Sequence, residues 1–526
     1  MLGVLLSIFI SLFIFFPIKF IFFNALNYIF NNNIYEKELN SVIYFTIYQS
    51  LISTIISVTI SIFIAKILHF SFKKKLKNIL LIFCYLSSLL PSSILVIGII
   101  KVFGNNGLLN LFLLSLGIKY NFSIYNIYGI IITHIFLNIP ISILFWIKVF
   151  ENIPIEHLKI SSQLNISGFY FFYYIELPNL LNKILIIFFK VFIFCISSFN
   201  IPLILGGPTY TTISLEIFYS FKYLTNLNKA LYLSMIHIFI CLFILFISNL
   251  SEDNYFISYE SNNYVISNKK FRYKYFIYYI VLFFIFLFLI SPPFMVIVSG
   301  INSRMIYILK NKILWISIFN SVFNSFVSSL ICIIISIILV WSYCNLKIKN
   351  KKISYLIVFI GKSIIVFPNM VFTFYLINLK NKINYINNKI IIIFLQSLVT
   401  LPYLIQILKQ PMLIIFNKYN KICNSLNIVG FKRLKLIDLK ILRYYLKEAF
   451  IFSNISIINN INILLLFNEE ISKSISLYLY NQIGSFYYKD SFAISLILLV
   501  ICILIIKIIN FLFLKKNDPI KKFNIY

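Results

Sequence analysis

Part of this chain occurs twice. Residues 164–169 read LNISGF, and residues 426–431, which follow 262 positions later, read LNIVGF. The same shift relates Pro140 to Pro402 without a gap. A second pairing, at a shift of 275, aligns four hydroxyl residues with four serines: Ser50, Ser53, Thr54 and Ser61 with Ser325, Ser328, Ser329 and Ser336. The repeated unit is about half the chain, which is too long for a solenoid repeat, so we expect two large related halves.

The composition places these halves in a membrane. Hydrophobic residues make up 61% of the chain and charged residues 12%, against roughly 45–50% and 25% in soluble domains. Twelve apolar segments are long enough to cross the hydrocarbon core as helices. They lie near residues 2–23, 43–67, 79–102, 128–150, 183–205, 228–250, 275–298, 319–343, 353–378, 388–408, 445–466 and 491–514. We therefore predict an all-α polytopic membrane protein with about 12 transmembrane helices in two homologous six-helix halves, at 1–250 and 275–526, joined by a cytoplasmic linker at 251–274.

The net charge of +31 is distributed as in a membrane protein. Lysines cluster at the ends of apolar segments, at 73–77, 347–352 and 515–522, where the positive-inside rule places cytoplasmic loops. This placement predicts that both termini are cytoplasmic, although the short lysine-bearing loop at 380–389 then falls outside. It also argues against nucleic acid as a partner and favours the lipid bilayer.

No cofactor or metal site is predicted. The seven cysteines form no C-x-x-C pair, and the four histidines lack the spacing of metal ligands. The sequence Gly361-Lys362-Ser363 has Leu356 where a phosphate-binding loop needs an earlier glycine. We therefore expect no ATPase activity in this chain itself.

The best-repeated sequence lies in two loops that the predicted topology places in the cytoplasm, at 151–182 and 409–444. We call them the first and second repeat loops. In the first, a short amphipathic helix is expected to begin near Pro154, to break at Gly168 and to lead into the membrane at Pro178. A short helix displayed from a membrane bundle can fill a groove in a partner protein.

Both loops resemble the EAA loop of importer-type ABC transporter permeases, which has the form E-A-A, three residues, Gly, nine residues, I-x-L-P. In this chain KIS at 159–161 and KIC at 421–423 take the E-A-A positions. Asn165 and Asn427 replace the glycine, and asparagine visits left-handed conformations more readily than most residues. The I-x-L-P positions match at 175–178 in the first loop. In the second loop, Lys440 replaces the proline of the motif. The residues expected to form the ATPase-coupling loops are Glu156, Lys159, Ser161, Asn165, Gly168, Pro178, Lys421, Cys423, Asn427, Gly430 and Leu439.

The resemblance narrows to one branch of that family. Two permease units fused in one chain, and the sequence at 205–219, are similar to the iron(III) and thiamine branch. The stretch at 467–484 resembles the thiamine permeases of that branch. The resemblance implies a bacterial inner-membrane permease that works with a periplasmic substrate-binding protein and two copies of an ABC ATPase subunit. It implies thiamine as the cargo, moved by alternating access, with iron(III) as the alternative.

Other classes predict different residues. An ion-driven secondary transporter would show paired intramembrane acids or Gly/Pro-broken helices at matching positions, and no such acid pair is evident from the sequence. A membrane enzyme would need clustered His, Asp or Glu at the bilayer face. Four acids near the predicted outer face either favour a cationic cargo or are ordinary solvated charges: Glu216, Glu469, Glu470 and Asp490.

Overall fold

The computed structural model describes residues 2–31, 37–70, 74–118, 123–164, 166, 168–207, 209–223, 227–250, 272–383, 387–428, 430–467 and 473–513. The secondary structure of these residues is helical, with no strand among them, so the all-α prediction is confirmed.

The α-helices of the first 250 residues are α1 (Leu2–Asn31), α2 (Lys37–Phe70), α3 (Lys74–Leu89), α4 (Ser92–Phe103), α5 (Leu108–Ser115), α6 (Ile127–Glu151), α7 (Ile155–Gln163), α8 (Phe169–Phe171), α9 (Leu177–Ile196), α10 (Asn200–Leu205), α11 (Ile213–Lys222) and α12 (Leu227–Leu250). The later ones are α13 (Arg272–Gly300), α14 (Met305–Lys310), α15 (Lys312–Lys349), α16 (Lys351–Ser363), α17 (Asn369–Ile383), α18 (Asn388–Ser425), α19 (Gly430–Arg433), α20 (Leu439–Asn459), α21 (Ile475–Gly484) and α22 (Tyr488–Phe513).

Ten helical segments of the described chain are long and apolar enough to cross a membrane. Two further pairs qualify if each bent pair counts as one span: Phe169–Leu181 with Lys183–Ile196, and Lys351–Val366 with Asn369–Lys380. The total then reaches 12, which confirms the predicted number of about 12 transmembrane helices.

The predicted spans at 79–102 and 353–378 are not the straight helices that their composition suggested. The apolar segment at 79–102 is divided, because α3 ends at Leu89 and α4 begins after Pro91. The matching segment of the second half is bent by 90° between α16 and α17, beside Pro368. Proline lacks the N–H that would continue the helical hydrogen bonds. Both halves therefore contain a proline-associated break in matching segments, although the prolines are two residues apart in the repeat alignment.

The described chain forms two compact units. The N-half unit consists of Glu36–Thr212 and Ile240–Val298, and the C-half unit consists of Met1–Tyr35, Ile213–Phe239 and Ser299–Tyr526. The first helix of each sequence half thus packs within the unit built mainly from the other half.

Glycines permit these two helices to pack closely. In the C-half unit, a Cβ on Gly3 of α1 would lie 2.0 Å from the Ser342 hydroxyl oxygen of α15. In the N-half unit, a Cβ on Gly98 of α4 would lie 2.4 Å from the Pro292 carbonyl oxygen of α13. Small residues allow helix backbones to approach in the absence of water, so α1 and α13 are held by contacts that larger side chains would prevent.

Small polar residues line the most extensive helix–helix interface of each unit. α2 packs chiefly on α6, and α15 chiefly on α18. Six Ser and Thr residues of α2 are buried, and their hydroxyls bond to carbonyls of the preceding turn, as Ser53 does to Gln49 and Ser57 does to Ser53. The serines at the repeat-related positions of α15, Ser325 and Ser328 among them, are buried too. The shift of 275 found in the sequence therefore marks equivalent helix interfaces.

Candidate functional site: the two repeat loops

The helix that opens each repeat loop ends in the same way. The backbone N–H of Ile166 donates to the Ser161 carbonyl at 2.9 Å, and that of Ile428 donates to Cys423 at 2.9 Å. In the second loop Asn427 has a φ of 51°, so the bond closes a Schellman motif with asparagine in the left-handed position. The expected tolerance of asparagine is thus observed at Asn427, whereas Asn165 lies outside the described residues.

A glycine with positive φ follows in both loops. The φ angle is 66° at Gly168 and 63° at Gly430, and no atom lies within 4 Å of a Cβ built on either glycine. Each glycine precedes a helical turn that widens into a short π-helix, at Phe172–Glu176 in the first loop and Leu434–Asp438 in the second. We call these the first and second π-turns. Single π-turns within helices often mark functional sites.

The two opening helices differ in length. α7 is a separate helix of nine residues that begins after Pro154. Its counterpart is the last part of α18, which runs unbroken from Asn388 to Ser425. The residue that corresponds to Pro154 is Phe416, which can donate its N–H and continue the helix. The separate short helix predicted from the sequence is therefore found in the first loop, and in the second it is the end of a long helix.

The predicted coupling residues divide into exposed and buried groups. The small residues at the last E-A-A position, Ser161 and Cys423, are 3% and 0% exposed. Pro178 is exposed in the first turn of α9, and Leu439 is half-buried at the start of α20. The exposed members are Glu156, Lys159, Gly168, Lys421, Asn427 and Gly430. The buried residues therefore set the helix packing, and the exposed ones remain accessible to a partner.

The accessible faces of the two loops have different chemistry. Beside the first π-turn, Phe169 stacks on Tyr173 and Tyr170 on Tyr174, and all four rings are more than half exposed. The positions that correspond to Tyr170 and Tyr173 are Lys432 and Lys435, which are also exposed. The two loops thus have similar backbones, but lysines replace two of the four exposed aromatic rings in the second loop, whereas Phe431 and Leu436 remain apolar and exposed.

Buried acids at the ends of the π-turns were missed as site residues. Glu176 and Asp438 are separated by the repeat shift of 262, and both are 0% exposed. The sequence contained this signal, because the two acids align within the repeat. Both acids lie in the repeat loops, outside the predicted spans, and each carboxylate has a basic partner. They are therefore not the intramembrane acid pair that an ion-driven transporter would show.

The partners of the two acids differ. Glu176 forms an ion pair with Lys66 of α2, with 2.5 Å between Nζ and Oε2. Asp438 pairs with Arg433, whose Nε lies 3.6 Å from Oδ2. The position of α15 that corresponds to Lys66 is Trp341, and this side chain interacts with the Asp438 carboxylate. Both halves therefore bury an acid at the same place and compensate its charge by different means.

Arg433 also fastens the second π-turn to α18. Its guanidinium donates to the Asn420 side chain at 2.9 Å and to the Phe416 carbonyl at 3.0 Å. The guanidinium carbon lies 3.7 Å from the centre of the Phe416 ring. The fork of donors on arginine suits such a combination of contacts better than a lysine would.

Two of the acids assigned to the outer face have basic neighbours. Glu216 forms an ion pair with Lys229 at 2.8 Å, and Asp490 lies 4.0 Å from Arg304. Glu469 and Glu470 lie outside the described residues. Near Glu216, burial and the neighbouring hydroxyls of Tyr219 and Tyr223 raise the pKa of Tyr480 to about 12. Tyr480 is therefore neutral at physiological pH. Because Glu216 and Asp490 each have a cationic neighbour, these two acids contribute little negative potential of their own.

The sequence is similar to known transport permeases. The profile of the family described as "Binding-protein-dependent transport system inner membrane component" matches residues 57–252. The chain is 30% identical over 482 residues to the thiamine transport system permease protein of Escherichia coli (strain K12), covering 90% of this chain and 89% of that one. It is 27% identical over 481 residues to the protein of the same name from Brucella abortus (strain 2308), covering 90% and 88%. A match of this length includes residues of both sequence halves.

Proposed function

The chain belongs to the family of binding-protein-dependent transport permeases, and we propose that it is the inner-membrane subunit of an ATP-driven thiamine importer. The observation that carries this proposal is the similarity over 90% of the chain to proteins named as thiamine transport permeases. The permease performs no covalent chemistry in this scheme, and the partner ATPase hydrolyses ATP. A periplasmic binding protein delivers the cargo to the outer side.

We assign the repeat loops as the docking sites of two ATPase subunits, one on each loop. The equivalent helix ends at Ser161 and Cys423, and the equivalent glycines at 168 and 430, support two matching docks. The exposed side chains of Glu156 and Lys159 on α7, and of Lys421 on α18, would contact the ATPase. Closure of the ATPase pair on ATP would then move the two halves, at 1–250 and 275–526, between inward-open and outward-open states.

The ion-driven transporter is a weaker explanation of the same features. Its expected proline breaks occur in matching segments, at Pro91 and Pro368. The acids that align in the repeat, Glu176 and Asp438, lie outside the predicted spans. Each lies at the end of a π-turn and has a cationic partner, as expected of a structural ion pair. Family membership favours the ATP-driven mechanism.

We further propose that both termini and the linker at 251–274 are cytoplasmic, and the lysine-rich loops support this topology. Reporter fusions at Lys75 and Lys349 are therefore expected to give cytoplasmic signals, and a fusion at Asn106 a periplasmic signal. Reporter activity in whole cells measures this directly. Opposite signals from the two lysine fusions would contradict the proposed arrangement of the halves.

The cargo is tested by uptake of labelled thiamine. A host that lacks its own thiamine importer should recover uptake when it expresses this chain with its ATPase and binding protein. Omitting any one of the three should abolish the recovery, because the permease has no energy source of its own. Recovery of iron(III) uptake without thiamine uptake would replace thiamine with the alternative cargo.

A further inference from the structure

We propose that the Lys66–Glu176 ion pair positions the first repeat loop by fastening it to α2, whereas Arg433 fastens the second repeat loop to α18. Movement of the two ATPase subunits would then be transmitted from their docking loops to different helices in the two halves. This inference rests on the proposed function, because it assigns a role in coupling to loops that are proposed to bind the ATPase.

The first connection joins α2 to both ends of the first π-turn. Lys66 contacts the Glu176 carboxylate at one end, and its Nζ lies 5.0 Å from the centre of the Phe172 ring at the other. Glu176 is 0% exposed, while 38% of the Lys66 side chain is exposed. A buried carboxylate that loses its cation is left with an uncompensated charge. Separation of α2 from the π-turn is therefore unfavourable, and the two should move together.

The second connection runs along one continuous stretch of chain. Asp438 is bound by Arg433, five residues earlier in the same turn, and Arg433 contacts Asn420 and Phe416 of α18. The α15 residue at the position of Lys66 is Trp341, which carries no charge. The charged contacts of the second π-turn therefore lead to the helix that precedes it, and its contact with α15 is made by the uncharged Trp341.

The break at Pro154 explains why the first half needs a different connection. In the second half the docking helix is the end of α18, so a push on it is transmitted along an intact helix. In the first half Pro154 separates α7 from α6, and the helix ends at Glu151. The ion pair to α2 supplies a second, rigid connection to the bundle where the helical one is lost.

Removal of the ion pair should uncouple transport from ATP hydrolysis. The full chain is reconstituted in liposomes with its ATPase and binding protein, and thiamine transported per ATP hydrolysed is measured. Lys66→Met should lower this ratio by about fivefold or more, within the usual range of coupling between sites. Lys66→Arg should keep most of the ratio, and the exchange Lys66→Glu with Glu176→Lys should restore part of it.

The matched control is Lys229→Met. Lys229 of α12 forms an ion pair with Glu216 of α11 at 2.8 Å, outside both repeat loops. This variant should leave the ratio within about twofold of the unmodified complex, because an ion pair of this kind contributes to stability alone. A fall in the ratio of equal size for Lys229→Met would overturn the proposal. So would a Lys66→Met complex that assembles in lower yield but transports as much thiamine per ATP as the unmodified complex.

A cross-linking measurement separates this inference from the cargo assignment. A cysteine that replaces Glu156 on α7 should form a cross-link to the ATPase whatever the cargo, and Lys66→Met should weaken it. If the unmodified complex moves no thiamine but Lys66→Met still weakens the cross-link, thiamine is refuted as the cargo and the positioning role of the Lys66–Glu176 ion pair is supported. If the unmodified complex moves thiamine and Lys66→Met leaves the cross-link unchanged, only the positioning role of the Lys66–Glu176 ion pair is refuted.

Discussion

Replacing Gly168 with valine should reduce thiamine transport about tenfold or more while the chain still inserts into the membrane. Gly168 has φ 66° and ψ −126°, a combination that valine adopts only at a cost of about 1–3 kcal/mol. A loss of 1.4 kcal/mol in a docking equilibrium corresponds to a tenfold change. Because a Cβ at this position meets open space, the effect arises from the backbone alone. Transport and ATP hydrolysis in proteoliposomes measure the change.

The same substitution at Gly430 should have a smaller effect. Its φ is similar, but the second docking helix is the end of α18 and is supported by Arg433. Gly484→Val is the matched control, because it adds the same side chain to a glycine outside both repeat loops whose Cβ would also meet no atom within 4 Å. Normal transport in both glycine variants, or an equal loss in the Gly484 variant, would show that the left-handed glycines have no role in coupling.

The geometry of the repeat loops followed from the sequence to a large extent. The shift of 262 relates Gly168 to Gly430, and both adopt positive φ. It also relates the two π-turns to each other, residue by residue. Asn427 takes the left-handed position that the missing glycine would have taken. These features are local, and local backbone requirements leave a direct trace in residue type.

The ion pairs of the loops were not predictable from the same pattern. Glu176 and Asp438 align in the repeat, but Lys66 lies 110 residues from Glu176. A lysine near the end of an apolar helix is as typical of the cytoplasmic end of a membrane span as it is of an ion pair with a distant acid. The identity of the partner depends on how α2 packs against the π-turn, and that packing has no separate signal in one sequence.

The exchange of the first helices could not be predicted either. Helix α1 is apolar along its length, as is α13. In a bilayer the lipid is as apolar as a neighbouring helix, so hydrophobicity does not specify which surface faces protein.

A proline in the sequence also does not show whether the helix is interrupted at that point. The chain bends at Pro91 and Pro368, whereas Pro140 lies within a continuous α6.

Alanine in place of Gly98 should lower the thermal stability of the N-half unit. The added Cβ would lie 2.4 Å from the Pro292 carbonyl oxygen and 2.8 Å from the Pro292 Cβ. Both neighbouring atoms belong to a rigid residue of α13, so α4 and α13 must separate to admit the methyl group. Overpacking of this kind costs about 1–3 kcal/mol. Thermal unfolding of the purified protein in detergent measures the shift.

Gly484→Ala is the control for this substitution. Gly484 ends α21, and a Cβ there meets no atom within 4 Å. Alanine has the higher helix propensity, by about 1 kcal/mol, so this variant should unfold at the same temperature as the unmodified protein or slightly above it. The contrast isolates the contact with Pro292, because both variants add one methyl group to a helical glycine. An unfolding temperature for Gly98→Ala that equals that of Gly484→Ala would mean that α13 does not pack against α4 as closely as described.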